Sequence, residues 1–371
     1  MAATPLPVVL DVDTGIDDAL AILLALRSPE LQVVGITCVA GNVTLPQVVR
    51  NTLGVLAIAG AQHVPVAAGA ARPLVRRLTT ATFFHGEDGI GGVPLPEPLA
   101  RPVDEPAPSW LCRLARELGG RLSLVATAPL TNVALACRLD PQFPRRLRRL
   151  VIMGGAATVP GNVTPAAEAN FYNDPEAARI VFESGASLTM VGLDVTLRAL
   201  FNAERYRALS ATAGTLHDPV ARFVYRVLER YLAADLAAGL SGSPLHDPLA
   251  VAALACPELV RCRRLRVEIE TEGRYTAGQS VANLAEKVER IEPRGDHDDV
   301  VGLHRPEPNC DVALEVDAPA FLDLFCARLG LAEPAETTRE TRLSVTANGE
   351  RTRGRGSEGV EDGGEQAGGT G

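Results

Sequence analysis

Four carboxylates fall within eight residues in Asp11-Val12-Asp13-Thr14-Gly15-Ile16-Asp17-Asp18, directly behind the apolar run Val8-Val9-Leu10. Carboxylates this close repel strongly, so some must be protonated, point apart or share a cation. A hard, oxygen-seeking cation, Ca²⁺ or Mg²⁺, is the reading with the fewest added assumptions. The competing reading makes one or two of the acids helix caps and leaves the others solvated. A second pair, His246-Asp247, stands before Pro248 and a run from Leu249 to Ala255 that is apolar all round. Such a run reads as a buried helix and would carry the pair inward, where an acid wants a cation or several hydrogen bonds. The similar Leu216-His217-Asp218-Pro219 reads instead as a helix cap, because Asp followed by Pro at the first helical position is a start signal.

The elements that must position these groups follow from the hydrophobic pattern. Val8 to Leu10 reads as a buried strand and the run from Ala19 to Leu26 as a helix, so the octet occupies a strand-to-helix turn. Strands are predicted over 33–39, 64–68, 122–126, 150–153, 188–193 and 312–316, and helices over 48–59, 110–118, 175–183 and 320–329. This repetition predicts a single α/β domain, a mostly parallel sheet with flanking helices. Asp13, Asn42, Thr127 and Asp194 all stand where strands end, which predicts one crevice at the carboxyl edge of the sheet. Residues 200–256 read as helical, with Phe223, Val224, Val227, Leu228 and Tyr231 as a core stripe, and 267–291 as strands with a hairpin. The Gly-rich loop from Phe83 to Gly92 has no Lys-Ser/Thr ending, so it is no phosphate-binding loop; its length suits a lid or binding loop.

Composition sets the bounds. The chain has 371 residues, 46% of them hydrophobic, enough for a sizeable core. A formal net charge of −9 disfavours nonspecific nucleic-acid or anionic-membrane binding. Seven cysteines without a C-x-x-C pair argue against zinc sites and a disulfide framework. With no apolar run long enough to span a membrane and no signal-like start, the expected location is cytoplasmic. The domain is expected over 5–331. The segment 332–371, rich in Gly, Glu and Arg, is expected to be a disordered tail, and its G-x-G-x-x-G match at Gly354 to Gly359 lacks the strand and helix that would give it meaning. His297 and His304, in a polar insertion over 294–308, are expected to be exposed.

Taken in order, the octet, Gly41-Asn42, Thr127-Ala128-Pro129-Leu130-Thr131-Asn132, Met153-Gly154-Gly155, Asn162, Glu168, Asn170 and His246-Asp247 resemble the inosine-uridine-preferring nucleoside hydrolase family. The resemblance runs from about Pro7 to Gly330 and implies a Rossmann-like fold, one Ca²⁺ per subunit and hydrolysis of the N-glycosidic bond of ribonucleosides. It further implies that Asp13, Asp18, the Thr127 carbonyl and Asp247 bind the calcium, and that Asp13 activates a metal-bound water as general base. Asp17, Asn42, Asn162, Glu168 and Asn170 would hold the ribose hydroxyls, and His246, with a near-neutral pKa, would assist the leaving base. Asp11 is left to brace the turn. Base contacts are expected among His85, Phe223 and Tyr225, with His85 taken as substrate-binding. The chain departs from the family at Thr14, where Pro is usual, and at Ala128, where Gly is common. Members are usually dimers or tetramers, so the expected partners are a small ribonucleoside and other copies of the chain.

Two alternatives stand beside this reading. Asp11-Val12-Asp13-Thr14 after an apolar strand is similar to the D-x-D-x-T/V signature of haloacid dehalogenase-type phosphatases, although Gly15 stands where that signature wants Thr or Val. The other is a nucleoside-binding protein that keeps the fold without turnover.

Overall fold

The strand that feeds the acid octet lies in the interior of an eight-stranded sheet. A computed structural model describes residues 4–210, 216–284 and 307–331 of the chain. Its strands are β1 (Leu6–Val12), β2 (Leu31–Cys38), β3 (Val66–Ala68), β4 (Ser123–Ala126), β5 (Arg149–Met153), β6 (Leu188–Val191), β7 (Leu200–Asn202), β8 (Gly242–Pro244), β9 (Val260–Leu265), β10 (Val267–Ile269), β11 (Ser280–Ala282) and β12 (Cys310–Val316). The large sheet runs β3-β2-β1-β4-β5-β6-β12-β9, parallel except for the β12–β9 edge, as the strand–helix alternation predicts.

Register gathers the site. Asp11 pairs with Thr37 of β2 on one side and with Ala126 of β4 on the other. Asp13, Asn42 and Thr127 therefore leave three adjacent strands at nearly the same level. Strand order also reverses here, since β1 continues to β2 on one flank and to β4 on the other, and a crevice opens at such a switch point.

Alternation across the sheet divides the interior into two layers. Val8, Leu10 and Val12 enter one apolar cluster, while Val9, Leu124 and Ala126 enter another. The first layer contains the helices Ile16–Leu26 and His246–Ala255, which pack directly against each other. Both are apolar all round, so both are buried, and each begins with the acids noted in the sequence: Asp17-Asp18 in one and Asp247 in the other. The second layer holds Ala107–Leu118, Thr131–Leu139 and Pro175–Phe182.

Two sequence expectations change, and one strand was not foreseen. Residues 200–256 are not helical throughout, because β7 and β8 pair as an antiparallel ribbon around Ala203–Ser210 and Pro219–Ala237. Three-residue strands carry too few positions for a period-2 signal. β9 went unread because its solvent-facing edge carries Arg261, Arg263 and Arg264, which mask an edge strand as loop. Asp194 leaves β6 at the expected edge, but its carboxylate accepts from Ala157 and Thr158 and braces that loop. The cap reading of Asp218 holds: it accepts from the Val220 N–H and pairs with Arg27. Residues 285–306 and 332–371, with His297, His304, most of the insertion and the tail, lie outside the described residues.

Leu20, fully buried between the sheet and the neighbouring helices, is a direct probe of this layer. Leu20→Ala should lower stability by about 2–5 kcal/mol, read as a reduced denaturant midpoint at unchanged slope.

Candidate active site

Each acid of the octet meets a different neighbour. Asp11 accepts hydrogen bonds at Oδ1 from Thr37 Oγ1 (2.5 Å) and Asn132 Nδ2 (2.8 Å), is fully buried and does not line the cavity. It braces the turn, and so is not presented as the nucleophile a phosphatase would require. Thr14 fills its place with a hydroxyl 2.6 Å from that of Thr52, tying the octet to the helix Leu45–Ile58. Asp13 Oδ2 accepts from the Asn42 N–H at 2.6 Å, while Oδ1 is buried without a partner. Gly41 makes this approach possible, since a Cβ there would run into the Asp13 carboxylate. Asp18 accepts from the Gly15 N–H (2.9 Å), Thr127 Oγ1 (2.8 Å) and Asn42 Nδ2 (3.3 Å). Asp17 Oδ1 is buried and unpartnered.

Asp247 arrives from the N-terminus of the second buried helix, and oxygens of Asp17, Asp18 and Asp247 come within 4.8 Å of one another. The triad drawn together thus includes Asp17, which the resemblance assigns to the sugar, with Asp13 alongside. Burial is the main force on all of them: it lifts Asp17 and Asp18 to about 6 and Asp11 to about 7. Asp13 and Asp247 rise well above the carboxylate range by burial and by the neighbouring acids.

The remaining predicted residues surround this floor. Asn170 donates through Nδ2 to the Thr127 (3.0 Å) and Met153 (3.1 Å) carbonyls, leaving its oxygen for a ligand. Glu168 caps the short helix Ala169–Asn173, accepting from the N–H groups of Gly155, Asn170 and Phe171, and burial raises it to about 7. Asn162 is exposed at the cavity wall and accepts from the Ala169 N–H. His85 is buried, and its Nδ1 accepts from the Ile16 N–H at 3.2 Å, which puts the ring proton on Nε2. His246 Nδ1 lies 2.8 Å from the Thr196 hydroxyl. Burial pushes both histidines down to about 4, so each is neutral at pH 7, in place of the near-neutral titration expected of His246.

These groups line a cavity of about 480 Å³. None of the described residues lining it is Lys or Arg, so its buried acids have no basic side chain to balance them. Phe83, Leu197 and Leu240, its exposed apolar residues, form the mouth. The loop beyond His85 is not a free lid: Asp88 accepts from Ile90 and Gly92, and Asn51 holds the Asp88 carbonyl. Phe223 is packed in the core and Tyr225 stacks on Tyr206, so neither expected base contact reaches the cavity. The same helix sends in Tyr231 and Asp235 instead. Asp235 had a legible signal, an acid continuing the apolar stripe one turn beyond Tyr231. Burial raises it to about 6, partly offset by the Ser243 hydroxyl.

The chain is similar in sequence and fold to known nucleoside hydrolases. The inosine-uridine preferring nucleoside hydrolase family model matches residues 8–323. The pyrimidine-specific ribonucleoside hydrolase RihA of Citrobacter koseri is 42% identical over 326 residues, covering 87% of this chain and 98% of that protein. RihA of Escherichia coli O9:H4 is also 42% identical, over 329 residues, with 87% and 98% covered. Among solved structures, the plant nucleoside hydrolase PpNRh1 superposes with a TM-score of 0.79 at 35% identity, covering 88% of this chain and 99% of that one. A purine-preferring ribonucleoside hydrolase from Gardnerella vaginalis gives 0.75 at 36%, with 88% and 99% covered.

The raised carboxyls fix the sign of a stability experiment. Without a cation the folded chain holds protons that the unfolded chain releases above 3.8, so stability is intact below that value and is lost as pH rises through 6 to 7. In chelator the thermal midpoint should fall between about pH 4 and about pH 7, and millimolar calcium should remove most of that fall. Equal pH profiles with and without calcium would show that the cluster holds no calcium.

Proposed function

The chain belongs to the inosine-uridine preferring nucleoside hydrolase family and is an N-glycosyl hydrolase, and on that premise we propose a calcium-dependent ribonucleoside hydrolase in which Asp13 is the general base. The observation that carries the reading is that Asp17, His246 and Asp247 line one cavity, with Asp18 within 4.8 Å of Asp17 and Asp247 and with Asp13 near enough to feel the charge of both Asp17 and Asp18, while the cavity lining has, among the described residues, no basic side chain but histidine.

The residues fit a hard cation. Every floor group is an oxygen donor, and Asp13 Oδ1 and Asp17 Oδ1 are buried with no hydrogen-bond partner. Asp13, Asp18, the Thr127 carbonyl and Asp247 would hold one Ca²⁺ per subunit, with Asp17 within reach of the same ion. Bound there, the ion would act as a Lewis acid toward water and anchor the sugar hydroxyls.

The chain's own groups do the rest. Asp13, fixed through Oδ2 by the Asn42 N–H, keeps Oδ1 to take a proton from the attacking water. Asp17, Asn42, Asn162, Glu168 and Asn170 surround the ribose. As the glycosidic bond lengthens the sugar gains positive charge, which anionic and amide oxygens stabilise where it develops. His85, its proton on Nε2, faces the substrate from the octet side. When the Thr196 hydroxyl donates to His246 Nδ1, the His246 proton sits on Nε2, and that N–H can donate a hydrogen bond to the departing base.

Among relatives, identity is higher to the pyrimidine-specific RihA proteins than to the purine-preferring Gardnerella enzyme, which favours pyrimidine ribonucleosides as first substrates. The catalytic domain is taken as 5–331, and light scattering should return a homodimer or homotetramer.

A reducing-sugar assay over purine and pyrimidine ribonucleosides, with calcium and with chelator, tests the reading. Ribose should appear only with calcium, and a folded protein that releases none would end it. Asp13→Asn should lower kcat by about 10²–10⁴-fold while the fold persists, and a near-normal kcat would remove Asp13 from the base role. His246→Ala should lose more on poor leaving groups than on good ones; an equal loss would make it a positioning residue.

A further inference from the structure

We propose that Asp235 reads the nucleobase by accepting a hydrogen bond from its exocyclic amino group, so that this enzyme prefers amino-bearing bases, cytosine over uracil and adenine over hypoxanthine. The inference rests on the ribonucleoside hydrolase reading above.

Asp235 is 2% exposed, lines the cavity, and has an Oδ2 without a hydrogen-bond partner. It stands where packing alone would call for an apolar side chain, since Val227, Tyr231 and Asp235 follow one another at four-residue spacing on the buried face of Pro219–Ala237. A buried carboxylate oxygen without a donor is unfavourable. The Ser243 hydroxyl offsets part of the cost of burying this carboxyl, but Oδ2 keeps no partner and no Lys or Arg among the described residues lines the cavity, so Oδ2 is open to a donor on whatever enters.

Position along the helix selects the part of the substrate. Tyr231 lies against Asp17 at the floor and donates through its hydroxyl to the Pro244 carbonyl at 2.9 Å. Asp235 is one turn further on, a rise of about 6 Å along the helix axis. Beyond it the wall continues with Ala238 and Leu240 toward the mouth. With the sugar hydroxyls on the acid floor, Asp235 stands at the height of the base.

The chemistry then discriminates. A carboxylate only accepts hydrogen bonds. The amino groups of cytosine and adenine donate at the ring position where uracil and hypoxanthine carry a carbonyl oxygen, which a carboxylate repels.

The test is kcat/KM for cytidine and uridine, with calcium, in the wild-type enzyme and in Asp235→Asn, whose amide can also donate to a carbonyl. The wild type should favour cytidine, and the cytidine-to-uridine ratio should fall at least about tenfold in the variant. Both substrates meet the same folded variant, so general damage cancels in the ratio. A wild-type preference for uridine, or a variant ratio within about threefold of wild type, overturns the proposal. If Asp235→Asn does not fold, the wild-type ratios for cytidine over uridine and adenosine over inosine decide alone, and no preference for the amino member overturns it. Hydrolysis of every base at equal rates overturns this proposal only, whereas ribose release from none overturns the hydrolase reading and this proposal with it.

Discussion

The constraint on which this structure depends is the burial of several carboxyls together where two apolar helices begin. Asp17-Asp18 and Asp247 sit at the N-termini of Ile16–Leu26 and His246–Ala255. Each helix dipole favours an acid by about 0.3–1 kcal/mol. Lifting the Asp17 carboxyl from 3.8 to about 6 corresponds to a burial penalty on the order of 3 kcal/mol. The dipoles therefore fall short, and the fold holds the acids together through packing. Both helices are buried over most of their length in one apolar layer, so their first residues stay at the cavity floor unless that layer opens.

The rest of the fold supplies close approach and fixed donors. Asp11 is immobilised by Thr37 and Asn132, and Asn132 is itself held to the Cys38 carbonyl and the Ala70 N–H, so three strand exits are locked to one another beneath the site. Gly15 leaves room for the Asn42 amide and the His85 ring, and Gly41 for the Asp13 carboxylate. These contacts leave Asp13 Oδ1 and Asp17 Oδ1 without internal donors, the two oxygens that the proposed chemistry uses.

Much of this floor was legible in the sequence. The octet, Asn42 and Thr127 follow strands, which the βα rhythm alone assigns to one sheet edge, and Asp247 opens a helix whose all-round apolar run marks it as buried; Glu168 and Asn170 were legible only through the family resemblance. The opposite wall was less legible because it is built by one helix face, where pocket and core residues share a period. Phe223 and Tyr231 are two helical turns apart on the same stripe, yet only Tyr231 reaches the cavity. What decides this is the direction in which the helix crosses the floor, a tertiary fact that periodicity does not contain. His85 was visible as a residue but not as a neighbour of Ile16, since a 69-residue separation leaves no spacing rule to apply. The β7–β8 ribbon and the basic edge strand β9 were hidden for local reasons, shortness in one case and exposed charge in the other.

Electrostatic imbalance and solvent exclusion then act together. His85 and His246 are the only ring bases at the cavity among the described residues, and burial holds both neutral, so neither offsets the acids. A floor built of carboxyl and amide oxygens, with apolar residues at its mouth, is a poor environment for a neutral, fully solvated sugar and a good one for a sugar that is becoming cationic. The same neutrality suits the histidines to the other end of the breaking bond, where negative charge collects on the departing base and a ring N–H can meet it without an imidazolium that would weaken the field of the floor. Separating charge in this way requires the acids and the ring donors to lie on different sides of one bond. In the proposed mechanism His246 and Asp247 would meet that requirement from adjacent positions, since the His246 ring pairs with Thr196 while Asp247 joins the acids of the octet.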